Sequence, residues 1–126
     1  MTVLLWTGVA VIGGVGAVLR FVVDRAVAAR ASGSFPVGTL VVNLSGAILL
    51  GLVSGLALSD VLGHDAAFLA GTAFVGAYTT FSTWMYETHR LAEERQLWPA
   101  VANIVVSVLA GVAAAALGSA AAGWLS

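Results

Sequence analysis

The sequence lacks cysteine and lysine entirely, holds two prolines, and has only five arginines and six acidic residues among its 126 positions. Without cysteine there is neither a disulfide nor a thiolate metal site. With a formal charge of −1 and no basic run, the chain has no electrostatic footprint for nucleic acid. Charged residues make up 9% of the chain, against roughly 25% in soluble domains. So few charges cannot clothe a soluble body of this length, so hydrocarbon must be the solvent for most of the surface. No phosphate-cradling loop, metal-ligand spacing or nucleophile–base constellation is present, and an enzyme is not expected. His64 beside Asp65, and His89 near Glu87, read as solvated residues at segment boundaries. The first three residues carry no basic side chain and positive charge follows the first apolar run, the reverse of a cleaved leader.

What is abundant is apolar and small: 60% hydrophobic residues and 15 glycines. A bilayer core about 30 Å thick needs about 20 apolar helical residues. Four stretches qualify, at about 3–23, 36–58, 66–87 and 97–124, joined by short connections. The expected fold is an all-α integral membrane protein, with residues 1–126 forming one four-helix transmembrane domain. Continuous apolar runs, rather than alternating ones, argue against a β-barrel. Gly51 and Gly55 form a G-x-x-x-G pair, and Gly46, Gly71, Gly76, Gly111 and Gly118 add further notches. Small residues let helix backbones approach closely in lipid, and so many notches imply an oligomer.

The positive charge is one-sided. Arg25, Arg30, Arg90 and Arg95 fall in or beside the first and third connections, with Arg20 near the same end of the first span. Loops rich in arginine stay cytoplasmic, so both termini are expected outside.

Polar groups inside the spans point towards function because hydrocarbon penalises them. Thr39, Asn43 and Gly46 share one helical face. Residues 76–84 read G-A-Y-T-T-F-S-T-W, a weak stretch of helix. Phe81 and Trp84 share a face within it, Ser82 and Thr83 place hydroxyls beside them, and Glu87 follows one turn on. Asn103, Ser107 and Gly111 line a face of the fourth span. Each stripe is open to a plain structural reading, as interhelical or back-bonded hydrogen bonds. Together they are also consistent with a narrow polar path that offers donors to an anion and holds no deep ionisable group.

Four segments resemble the Fluc (CrcB) family of fluoride channels: G-G-V-G-A-V-L-R at 13–20, P-V-G-T-L-V-V-N-L-S-G at 36–46, G-A-Y-T-T-F-S-T-W at 76–84 followed by Glu87, and N-I-V-V-S-V-L-A-G at 103–111. The resemblance spans nearly the whole chain. It implies a fluoride-selective channel in the cell membrane that passively exports fluoride, built as an antiparallel dimer with the third helix broken in mid-membrane. It further implies a structural sodium ion, not transported, held by backbone carbonyls at the positions of Gly76 and Thr79. The fluoride path would use Asn43, Phe81, Ser82, Thr83, Trp84 and Ser107, with Arg20 and Glu87 at recurrent charged positions; Thr39 joins them as a candidate from its place on the Asn43 face. Trp84 stands where the family usually has a second phenylalanine; its indole keeps a positive edge and adds an N–H donor. Ala77 replaces a commoner glycine at the break.

Two other readings stay open. A small four-span proton-coupled exporter has similar size, but needs an embedded carboxylate in the first span, where no acid precedes Asp24. A structural subunit completing a partner's pore would fit the small-residue spans. The charge bias leaves the dimer either a pair of identical chains or a pair with a related chain of opposite topology. Reaction of terminal tags with a membrane-impermeant reagent in intact cells should label both termini; equal inward and outward populations would refute the fixed orientation.

Overall fold

The computed structural model describes residues 2–126. Six α-helices and one π-helical segment follow in order: α1 Val3–Arg30, α2 Val37–Leu58, α3 His64–Ala67, the π-helical segment Phe68–Val75, α4 Gly76–Tyr78, α5 Ser82–Glu93 and α6 Leu97–Leu125. No strand occurs among the described residues. Three helices, α1, α2 and α6, are each long and apolar enough to cross a membrane. The remaining crossing is a composite running from α3 to α5, interrupted at residues 79–81. The helix of the first crossing continues one to two turns beyond the expected 3–23, to Arg30. The extension carries Asp24, Arg25 and Arg30, residues suited to an interface rather than to hydrocarbon.

The first and third connections lie at the same end of the molecule, as expected. The Ser34 hydroxyl in the first connection donates to the Gln96 side-chain carbonyl in the third, so these two loops meet at one end. All five arginines lie towards that end. Trp98 starts α6 there, 83% exposed, while Trp6 and Trp124 lie at the other end, the placement of membrane-interface tryptophans.

The interior is small. The largest fully buried side chains are Leu91, Val42 and Asn103, whereas Val15, Val18, Phe21, Leu109 and Val112 are exposed on the outer faces of α1 and α6. Apolar side chains outside and a thin core inside suit a lipid solvent. What holds α2 against α6 is backbone proximity rather than interlocking side chains. A Cβ on Gly51 would lie 2.1 Å from the Ala115 carbonyl oxygen, and one on Gly118 would lie 1.9 Å from that of Ile48. Gly55 likewise faces Ala122. Each helix thus presents a glycine to the other's main chain, the packing that G-x-x-x-G patterns permit. On the other side, Gly16 of α1 makes room for the Phe74 carbonyl of the π-helical segment, 2.7 Å from where a Cβ would sit.

Gly118→Ala should therefore destabilise the fold by about 1–3 kcal/mol through overpacking. Gly111→Ala, on the same helix with open space around it, should be neutral or favourable by up to roughly 1 kcal/mol. Thermal unfolding in detergent, followed by circular dichroism, distinguishes them; equal midpoints would show that the α2–α6 crossing is not backbone-limited.

Candidate functional site

The break in the third crossing is the centre of the site. Thr79 closes the preceding helical stretch: its N–H and its hydroxyl both donate to the Val75 carbonyl, at 2.9 and 2.8 Å. Its backbone then turns extended, at φ −83° and ψ 162°. In a continuous helix the Thr80 N–H would donate to the Gly76 carbonyl. Here it donates instead to the Asn43 side-chain oxygen at 2.9 Å, while the Asn43 amide donates to the Thr80 carbonyl, also at 2.9 Å. One asparagine on α2 therefore satisfies both backbone groups of the broken residue, and one of its two amide hydrogens remains for another acceptor.

The helix restarts on a cap that the Ser82–Glu93 boundary alone does not reveal. The Thr80 hydroxyl accepts from the Thr83 N–H at 3.2 Å, the N-cap role of threonine, and donates to the Thr83 hydroxyl at 3.1 Å. Thr80 thus serves the break twice, through its backbone and its side chain. It was not among the residues singled out in the sequence, although the Thr80-x-x-Thr83 spacing carried the signal. On the near side of the break, the Tyr78 phenol and the Ser45 hydroxyl lie 2.9 Å apart. Ser45 also donates to the Val41 carbonyl, which leaves the phenol as donor to Ser45. Gly46 completes the seat: a Cβ there would lie 2.3 Å from the Thr79 methyl.

A groove of about 290 Å³ opens beside the break, lined by Asn43, Leu50, Val75, Thr80, Phe81 and Trp84 among others. Phe81 is 69% exposed on its rim and meets Trp84 edge to face, centroids 5.6 Å apart and planes at 85°. A smaller cavity, sharing Thr80 with the groove, is lined by Arg20, Asp24, Thr39, Val42 and Thr83. A further cleft at the same end is bounded by Asp24, Gly38, Glu87 and Arg90. Asp24 reaches this place because Gly38 has no side chain; a Cβ there would fall 2.1 Å from the Asp24 carboxylate. The arginine Nε atoms of Arg20 and Arg90 and one Glu87 carboxylate oxygen are buried without a partner.

Asn43, Phe81, Thr83 and Trp84 thus come together at the break, and Arg20, Thr39 and Glu87 gather at the charged end. Ser82 is exposed and has a single long contact, 3.5 Å, to the Thr80 hydroxyl. Gly76 lies at the surface of the chain, just before the break. Ser107 is half-buried on α6 and is not part of the groove. Asn103, expected on the same polar stripe as Ser107, instead packs into the α5–α6 contact, 1% exposed. The indole N–H of Trp84, read in the sequence as an added donor, is bonded to the Asn103 carbonyl at 3.0 Å. Chemically the site offers an Asn43 amide hydrogen, the Thr83 hydroxyl and aromatic edges, all suited to a weakly held anion, with arginines near one end.

The family described as "CrcB-like protein, Camphor Resistance (CrcB)" matches residues 7–119. The protein named "Fluoride-specific ion channel FluC 2" in Mycolicibacterium paratuberculosis is 73% identical over 117 residues, 93% of each chain. Its namesake in Mycobacterium tuberculosis H37Rv is 64% identical, over 94% of this chain and 90% of that one. "Fluoride-specific ion channel FluC 1" of Leifsonia xyli is 45% identical, over 94% and 86%.

Asn43→Leu keeps the side chain's bulk and removes both bonds to Thr80. With two backbone groups left unpaired, it should cost roughly 1–3 kcal/mol for each and speed amide exchange across residues 79–83. Asn43→Asp, which retains only the acceptor, should fall between. Unchanged exchange in Asn43→Leu would mean that the clasp does not hold the break.

Proposed function

The chain belongs to the CrcB-like family, and from that membership we propose that it is a fluoride-selective channel, not an enzyme, exporting fluoride passively across the cell membrane. The observation that carries the reading is the polar, ring-edged groove beside a helix broken at membrane depth, in a chain 73% identical to a protein named as a fluoride-specific ion channel. Fluoride holds its water tightly, so a path for it must replace that water with donors while binding weakly enough to release the ion. Asn43, Thr83 and Ser82 supply donors, and the Phe81 and Trp84 edges add positive quadrupole; Ser107, outside the groove on α6, would add its hydroxyl elsewhere along the path. Arg20, Thr39 and Glu87 shape the arginine-rich, cytoplasmic mouth.

All of residues 1–126 serve one four-span transmembrane unit, paired antiparallel with a second chain. The exposure of Phe81 and of Gly76 supports that pairing, since both would otherwise face lipid. The break also suits a sodium ion. With the Thr80 amide engaged by Asn43, the Gly76 carbonyl loses its helical donor, and unpaired backbone at membrane depth requires a partner. Gly76 and Thr79 would hold the cation through their carbonyls, and it would supply fixed positive charge without being transported.

Purified chain reconstituted in liposomes with sodium on both sides should release fluoride rapidly and chloride barely at all. Phe81→Ile should slow fluoride release about tenfold, the order of one lost ring-edge contact. A well-folded chain that releases no fluoride alone, but does so when co-expressed with a related chain of opposite charge bias, would establish the mixed pair; release in neither case would overturn the channel reading.

A further inference from the structure

Trp84 is the bulkiest residue of the groove, and three hydrogen bonds beyond the helix's own tie it down. Its indole N–H donates to the Asn103 carbonyl at 3.0 Å. The Asn103 side-chain amide reaches back to the Trp84 carbonyl at 3.4 Å and to the Thr88 hydroxyl at 2.9 Å. The Thr88 hydroxyl in turn donates to the Trp84 carbonyl at 2.9 Å. Asn103 is 1% exposed and is one of the three largest fully buried side chains. A primary amide buried this deeply in a lipid-solvated bundle is costly unless its bonds are made, and here its N–H groups are spent on Trp84 and on Thr88, which itself bonds the Trp84 carbonyl.

We infer that Asn103 and Thr88 are positioning residues for the aromatic part of the path: they hold the Trp84 ring so that it offers the ion its edge while its N–H is withheld. The inference rests on the fluoride-channel reading for its functional meaning, but its geometry is independent of it. A free indole N–H would add one more donor to a groove that already holds those of Asn43 and Thr83. Bonded to Asn103, it leaves Phe81 and Trp84 to act together as C–H edges, in the T-shaped arrangement observed. The ring's position is thereby coupled to α6 through the main chain of Asn103, not only to its own helix.

The test uses the full chain in lipid nanodiscs and liposomes, with Trp6→Phe, Trp98→Phe and Trp124→Phe leaving Trp84 as the only tryptophan. With ¹⁵N-labelled indole, the Trp84 N–H resonance should exchange slowly with water and stay fixed as sodium fluoride is raised to saturation. A saturable shift with fluoride, absent with sodium chloride, would overturn the inference. Asn103→Ala and Thr88→Val should each lower Trp84 anisotropy, increase its quenching by acrylamide and slow fluoride release about tenfold, the order of one lost buried hydrogen bond. Thr88→Ser, which retains the hydroxyl, should restore all three. Anisotropy and quenching identical to those of the parent in a folded Thr88→Val protein would remove the positioning role, whether or not Asn103→Ala folds. A parent chain that releases no fluoride would count against the channel reading alone, because the emission measurements still test the placement of the ring.

Discussion

A backbone broken inside a bilayer has to find hydrogen-bond partners other than water, and the rest of this structure is arranged around that demand. The Asn43–Thr80 pair meets it. Two 2.9 Å bonds from one side chain replace the helical bonds that Thr80 gives up. Because the amide is flat and offers one donor and one acceptor side by side, it fits a single extended residue in the way a neighbouring strand would. The Thr80 hydroxyl then restarts the helix. No residue with only a donor or only an acceptor could do both tasks, so the break calls for a side chain that carries the two together, as the Asn43 amide does.

The clasp works only if α2 stands at a fixed depth and rotation relative to the third crossing. Its position is set from behind by α6, through the reciprocal approach of Gly51 and Gly118 to facing carbonyls. Gly46 and Gly38 act on the front face: one makes a seat for the Thr79 methyl, the other a seat for the Asp24 carboxylate. The glycines are therefore of two kinds. Those facing α6 allow helix contact, and those facing α1 and the break admit a particular side chain. The Ser45–Tyr78 hydroxyl pair adds a second tie from α2, on the other side of the break.

Much of this was legible in the residues. Length and periodicity located the crossings, because about 20 apolar residues leave little freedom in where a helix enters and leaves the bilayer. The weakness of the 76–84 stretch, with its paired threonines, marked where helix would be hardest to sustain. The Thr39–Asn43–Gly46 face was legible as a unit, and all three side chains or seats do turn towards the third crossing. The role of Asn103 was not. An asparagine four residues from a serine on an apolar helix reads as a polar stripe, and only the rotation of α6 shows that it turns towards Trp84. Nor could spacing show that the Trp84 N–H is already taken, since its acceptor is a main-chain carbonyl, which no side-chain pattern encodes. The π-helical turns of Phe68–Val75 are equally silent in composition; α1 approaches them closely at Gly16, where it faces the Phe74 carbonyl.

The arginines bear on what stands opposite the groove. Positive charge near short loops resists translocation, and the resistance is counted per chain. A pair of identical chains in antiparallel array needs each chain to insert both ways, which requires near balance between its two ends. All five arginines here lie towards one end, in the part of the fold where Ser34 meets Gln96. Arg25, Arg30 and Arg95 could be exchanged for neutral residues without touching the groove, so nothing in its chemistry demands this bias. Arg20 and Arg90 are different: their buried Nε atoms line the charged mouth. The site therefore accounts for two of the five arginines, and the other three lie outside it. In the proposed antiparallel pair, a chain held in one orientation would need a partner held in the other, which a related chain of opposite bias would supply and a second copy would supply only by inserting both ways.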